Sequence, residues 1–167
     1  MQDYGSCARN ENTPMTRFIQ RGGAWVLGQG VLLGTLVLLA IFFRQGGFPL
    51  VVVIAGAALM IIGMGVLLAG ALALGRNLTP FPKPAEQAQL VRHGIYAVVR
   101  HPLYTGVMAV SIGWALTWQS WPALGVAMTL IPFFHAKARH EEQWLRKKFT
   151  EYADYEKQVH RFIPWRH

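Results

Sequence analysis

Acidic residues are scarce in this chain of 167 residues: eight stand against sixteen lysines and arginines. None falls between Glu11 and Glu86, or between Glu86 and Glu141, so the long apolar stretches in those intervals carry no carboxylate. That excludes the usual proton-coupled transporter, which needs an acid inside the membrane. The single cysteine, Cys7, can form no internal disulfide and has no partner at metal-ligand spacing. The histidine-box spacings of membrane di-iron enzymes are also missing. "HEEQW" lacks the second histidine of a zinc-protease motif, and His135 and His140, five apart, are expected on different helix faces. No P-loop, nucleophile elbow or dinucleotide glycine motif behind a strand occurs, and the glycines of "GMG", Gly63 and Gly65, sit inside an apolar run. Charged residues make up only 14% of the chain.

What is present is hydrophobic. At 53% apolar side chains and a positive mean hydropathy, the composition is that of a small membrane protein. Residues 24–43 and 48–74 are each long enough to span a bilayer, which takes about 20 apolar residues. Two shorter runs, 103–118 and 121–134, are joined by "WQSW" with its interfacial tryptophans and read as a helical hairpin. The first run is too long for a cleavable signal peptide and lacks a small-residue cleavage site. Small residues four apart (Gly30 with Gly34, Gly65 with Ala69, Ala109 with Gly113) are expected to let helices approach closely.

Fifteen of the sixteen basic residues fall in the N-terminal arm, the middle loop and the C-terminal segment, and one, Arg44, falls in the other loops. This asymmetry predicts that both termini and the middle loop face the cytoplasm. It also accounts for the net charge of +8 through anionic lipid, without nucleic acid. Residues 1–22 are expected to be a loosely ordered arm, and 23–167 a single membrane-embedded domain.

Beyond the last span, "AKARHEEQWLRKKFTEYADYEKQVHRF" reads as one cytoplasmic amphipathic helix, with Leu145, Phe149, Tyr152, Tyr155 and Val159 on one face. The "TPFPKP" prolines keep the middle loop extended, and Pro132 removes a backbone hydrogen bond and should bend the fourth span toward it. The expected fold is therefore all-α, with four transmembrane helices plus this C-terminal helix. A polar constellation is left at the cytoplasmic surface: Tyr96, Arg100, His101, Tyr104, Glu141 and Glu142. Singly, each has an ordinary explanation: a lipid anchor, an interfacial tyrosine, or an i,i+4 pair of Glu142 with Arg146.

Together, "LVRHGIYAVVRHPLYTG", an apolar hairpin and "EEQWLRKKFTEYADYEKQVHRFIPW" form a specific pattern. It resembles the isoprenylcysteine carboxyl methyltransferase family of integral membrane enzymes, whose endings are similar to those of membrane phospholipid methyltransferases. The resemblance runs from about Arg76 to the C-terminus and includes Gly94, Gly106 and Pro164. It implies methyl transfer from S-adenosylmethionine to a lipophilic or lipidated acceptor entering from the bilayer, with the cofactor site built from 88–106 and 135–164. On the family pattern, Gln89, Leu90 and Val91 would line the cofactor pocket. Tyr96, Arg100 and the "HPLY" residues His101, Pro102, Leu103 and Tyr104, with Glu141 and Glu142, would hold its polar groups. Where the family places an arginine four residues before the glutamate to meet the acceptor, this chain has Lys137, with Arg139 nearby; a lysine offers a point charge in place of a bidentate fork. Two other readings stay open. One is a nicotinamide-dependent reductase of the sterol type, similar in its C-terminal helices; the other is a non-enzymatic membrane scaffold.

Overall fold

The structure, a computed structural model, describes residues 15, 18, 19, 22–81, 83 and 87–163. Most of the expected N-terminal arm, Pro82 and Pro84 of the proline run, and Pro164 lie outside the described residues. Among the described residues, five α-helices have defined bounds: α1 (Gly23–Phe42), α2 (Leu50–Leu74), α3 (Pro102–Thr117), α4 (Trp121–Lys148) and α5 (Tyr152–Gln158). Among the described residues there is no β-sheet. Extended backbone meets only in a single parallel bridge between Val99 and His160.

The helix boundaries follow from local chemistry. Gly46 and Gly47, both at positive φ, and then Pro49 stop α1 and start α2. Pro102 occupies the first turn of α3, where its missing N–H costs nothing. Ser120 caps α4, its Oγ accepting from the Ala123 amide at 3.4 Å and donating to the Leu39 carbonyl at 3.2 Å. The "WQSW" turn is thereby tied to the end of α1, and the Gln45 amide adds a bond to the Gln119 carbonyl.

Two helices, Gly23–Phe42 and Leu50–Asn77, are long and apolar enough to cross a membrane. Their large side chains point outward: Leu72 is 81% exposed, Ile61 74% and Leu50 72%. Water would not tolerate so much open apolar surface, and a bilayer does. α3 has only 16 residues. α4 has 28, or about 42 Å, longer than the roughly 30 Å hydrocarbon layer.

α3 and α4 form the middle of the bundle, with α2 packed along α3 and α1 along α4. The α2–α3 contact is a glycine seam, but its spacing is seven residues rather than four. Gly56, Gly63 and Gly70 meet Leu116, Ala109 and Leu103, while Gly106 and Gly113 of α3 fit against α2. Gly30, Gly34 and Gly65, expected to pack, have nothing within 4 Å of where a Cβ would stand, whereas the Ala109–Gly113 pair does lie in the seam.

The expected single cytoplasmic helix is corrected. α4 runs without interruption from the apolar segment through Lys148, with Pro132 inside it, and the chain then breaks at Phe149 and restarts as α5. The break lets Tyr152, Tyr155 and Val159 fold back with Leu145 and Phe149 onto Leu90, a packing gain that outweighs helical continuity.

A Cβ on Gly106 would lie 2.6 Å from Leu67 Cγ and 2.8 Å from the Gly63 carbonyl oxygen. Gly106→Ala is therefore expected to cost about 1–3 kcal/mol and to lower the thermal midpoint in detergent, whereas Gly65→Ala should leave it unchanged.

Candidate active site

The "RHPLY" turn and the start of the α4 extension meet through one carboxylate. Glu142, on α4, is 1% exposed. Its Oε1 accepts from His101 Nε2 at 3.1 Å and from Arg161 Nε at 2.9 Å, and its Oε2 accepts from Arg161 Nη2 at 2.5 Å. Arg100 Nη1 lies 3.2 Å from the same Oε1 and 3.0 Å from Glu156, which also takes two bonds from Arg146. Arg146 thus pairs with Glu156, not with Glu142 as i,i+4 spacing suggested. Burial alone would raise the pKa of Glu142, but the hydrogen bonds from His101 and Arg161, with the charges of His101 and Arg100, hold it down at about 2.

Backbone bonds complete the junction. The Arg100 and His101 amides donate to the carbonyls of His160 and Arg161, and Tyr155 Oη donates to the Tyr96 carbonyl at 2.6 Å. The final segment is therefore clamped along 96–101, which fixes the entry of α3.

One residue earlier on α4, Glu141 faces elsewhere. Its Oε2 accepts from Tyr104 Oη at 2.6 Å and lies 3.7 Å from His101 Nδ1. The His101 and Tyr104 rings stack 5.3 Å apart at 2°, so ring, phenol and carboxylate form one rigid wall. That wall borders a cavity of about 630 Å³. Gln89, Leu90, Val91, Tyr96, Arg100, His101, Leu103, Tyr104, Lys137 and Glu141 all line it. Pro102 does not; it is buried at the start of α3. Glu142 lies behind the wall with its oxygens occupied, so its work in this structure is to hold Arg100, His101 and Arg161 together.

The two basic residues expected to meet the acceptor separate. Lys137, 2% exposed, lines the cavity, and its Nζ donates to Gln29 Oε1 of α1 at 2.6 Å. Arg139 is exposed on the far face of α4, beside a second groove. His135 and His140, expected on different faces, both border that groove, and among the described residues no group of three His, Cys, Asp or Glu side chains could hold a metal. Arg161, Glu156 and Gln29 were not singled out from the sequence. Arg161 lies inside the "VHRF" ending but carries no periodic signal; Gln29 could have been flagged as an amide in an apolar span.

Because the Glu142 pKa is depressed, its contribution to stability is complete above its ordinary value of 4.5 and is lost as pH falls toward about 2. The thermal midpoint is expected to fall across that window, and Glu142→Gln, destabilised at pH 7, should flatten this part of the profile.

Residues 51–152 match the phospholipid methyltransferase family. A probable protein-S-isoprenylcysteine O-methyltransferase of Oryza sativa subsp. indica is 31% identical over 115 residues, covering 66% of this chain and 60% of that protein. Protein-S-isoprenylcysteine O-methyltransferase B of Arabidopsis thaliana is 27% identical over 114 residues, covering 66% and 58%. The human 3-oxo-5-alpha-steroid 4-dehydrogenase 2 is 30% identical over 146 residues, covering 87% and 56%. The chain thus spans less than two thirds of the length of each of these relatives. The family match covers more than half of the chain and takes in the "RHPLY" turn and both glutamates: the chain belongs to the phospholipid methyltransferase family.

Proposed function

We propose that the chain transfers a methyl group from S-adenosylmethionine to a lipophilic acceptor arriving from the bilayer. The observation that carries this is one continuous cavity of about 630 Å³, polar at the "RHPLY" wall and apolar where Val26 and Leu33 of α1 and Leu67 and Leu74 of α2 line it. α1 and α2 each pack on the central helices rather than on one another, which leaves the space between them to the cavity.

The donor set suits the cofactor. Its volume lies in the range of small-molecule sites, and the lining supplies a carboxylate, phenols, amides and aromatic faces for an ammonium, ribose hydroxyls and a base. Bound there, S-adenosylmethionine would supply an electrophilic methyl group on a cationic sulfur. Glu141 and Tyr104 would hold its ammonium or ribose, and Gln89, Leu90, Val91 and Tyr96 would enclose it. The apolar lining would exclude water and keep donor and acceptor in line at near-attack distance. A carboxylate or thiolate acceptor needs no base. An amine would have to release a proton, and Glu141 is the carboxylate facing the cavity, since Glu142 is spent on Arg161 and His101.

The reading extends to topology: four spans, with the site and both termini on the cytoplasmic side. The asymmetry of Lys and Arg supports it. Reporter fusions after Arg44 and after His167 should report opposite sides.

A reductase remains as a second reading because of the 30% identity to the human steroid dehydrogenase. Titration in detergent separates the two. S-adenosylhomocysteine should bind and a reduced nicotinamide dinucleotide should not. Glu141→Gln removes a charge-assisted contact and is expected to weaken S-adenosylhomocysteine roughly tenfold or more. Lys137→Ala should leave that affinity nearly unchanged while slowing methyl transfer.

A further inference from the structure

α1 contains, besides the Trp25 indole and Thr35, one polar side chain: Gln29. A polar group at membrane depth is costly, and this one lines the cavity, with its Oε1 taking the 2.6 Å bond from Lys137 across 108 positions of sequence. The rest of the Lys137 environment is aromatic. Its Nζ lies 5.0 Å from the Tyr104 ring centroid and 5.9 Å from that of Phe134. Among the described residues no carboxylate comes within ion-pair distance of it; the nearest candidate, Glu141, has its Oε2 on Tyr104. A buried ammonium held by a neutral amide and ring faces has no carboxylate in direct contact to neutralise it.

The orientation of Gln29 follows from donor and acceptor chemistry. An ammonium only donates, so the carbonyl end of the amide must face it. The NH2 end, with two donors, has no protein partner among the described residues.

We propose that Gln29 is a specificity-determining residue: with Lys137 it forms a two-pronged cradle for an anionic group on the acceptor. Being neutral, it leaves the lysine's charge free for that group. Two donors on separate helices suit a carboxylate or a phosphate, each presenting two oxygens, and disfavour a cationic amine. The proposal rests on the methyl-transfer reading only in taking this cavity as the acceptor's site. The donor's own carboxylate is the other anion of the same chemistry, and the test separates the two.

Gln29→Glu is close in shape and keeps the bond to Lys137, but it installs a permanent counter-charge. A purely structural role therefore predicts equal or greater thermal stability with unchanged ligand preference. Purified protein in detergent is titrated with dodecanoate, dodecyl phosphate, methyl dodecanoate and dodecylamine, and separately with S-adenosylhomocysteine. The wild type is expected to bind the two anions about tenfold tighter than the ester. Gln29→Glu should abolish that preference and favour the amine, with S-adenosylhomocysteine affinity within about twofold of wild type. Lys137→Gln, which removes the charge but keeps a polar chain, should abolish the anion preference as well, so the inference does not depend on one variant folding. No anion preference in the wild type overturns the proposal, as does its persistence in Gln29→Glu. Loss of S-adenosylhomocysteine affinity in step with it also overturns the proposal, by assigning the cradle to the donor. A wild type that prefers the anions but does not bind S-adenosylhomocysteine would overturn the methyl-transfer reading while sparing the cradle.

Discussion

The buried carboxylate of Glu142 is the contact on which the polar half of the molecule, beyond the apolar helices, depends. It draws Arg100 and His101 from the segment before α3 and Arg161 from the last described turn onto one point of α4. His101 and Arg161 lie 41 and 19 residues from it in sequence, with Arg100 beside His101, and no local propensity would bring them together. Removing one partner leaves the others as uncompensated buried charge, which is why such a hub is costly to break even where its net stabilisation is small. Its geometric consequence is next door. Once Glu142 is pinned inward, helical rotation turns Glu141 toward Tyr104 and sets the polar wall of the cavity.

The membrane half is held differently. Helix α2 lies against α3 through glycines that let backbone meet backbone, so packing rather than polar bonding secures it. α1 is docked on α4, and Gln29 reaches Lys137 across that contact. With α1 docked mainly on α4 and α2 on α3, the cavity that both line begins among charged groups and ends among leucines and valines. The proposed transfer from a water-soluble methyl donor to a membrane-soluble acceptor would require that combination of linings.

Much of this was legible in the sequence, for identifiable reasons. Apolar length marked α1 and α2, Pro102 marked the start of α3, and the paired motifs led to the expectation that Glu141 and His101 share a cavity, which they do. Single-residue signals failed where the answer depended on distant packing. The 3.6-residue apolar period continues through Phe149, yet the helix breaks there, because Tyr152 and Tyr155 gain more by folding onto Leu90 and the 96–99 segment. Adjacent glutamates look alike in one dimension, but helix geometry sends one to the cavity and the other behind it. Spacing of four drew attention to Gly30 and Gly65, which face open space, while the working seam repeats every seven residues. Arg161 and Gln29 act only through partners that the sequence does not place beside them.

We propose that the wall built by His101, Tyr104 and Glu141 is the methyl donor's site and that Glu142 only supports it. An experimental structure of the protein with S-adenosylhomocysteine tests this most directly. The ligand is expected in the cavity lined by Tyr104 and Glu141, with Glu142 still bound to Arg161 and His101. A ligand bonded to Glu142, or seated in the groove beside His135 and Arg139 on the other face of α4, would contradict it.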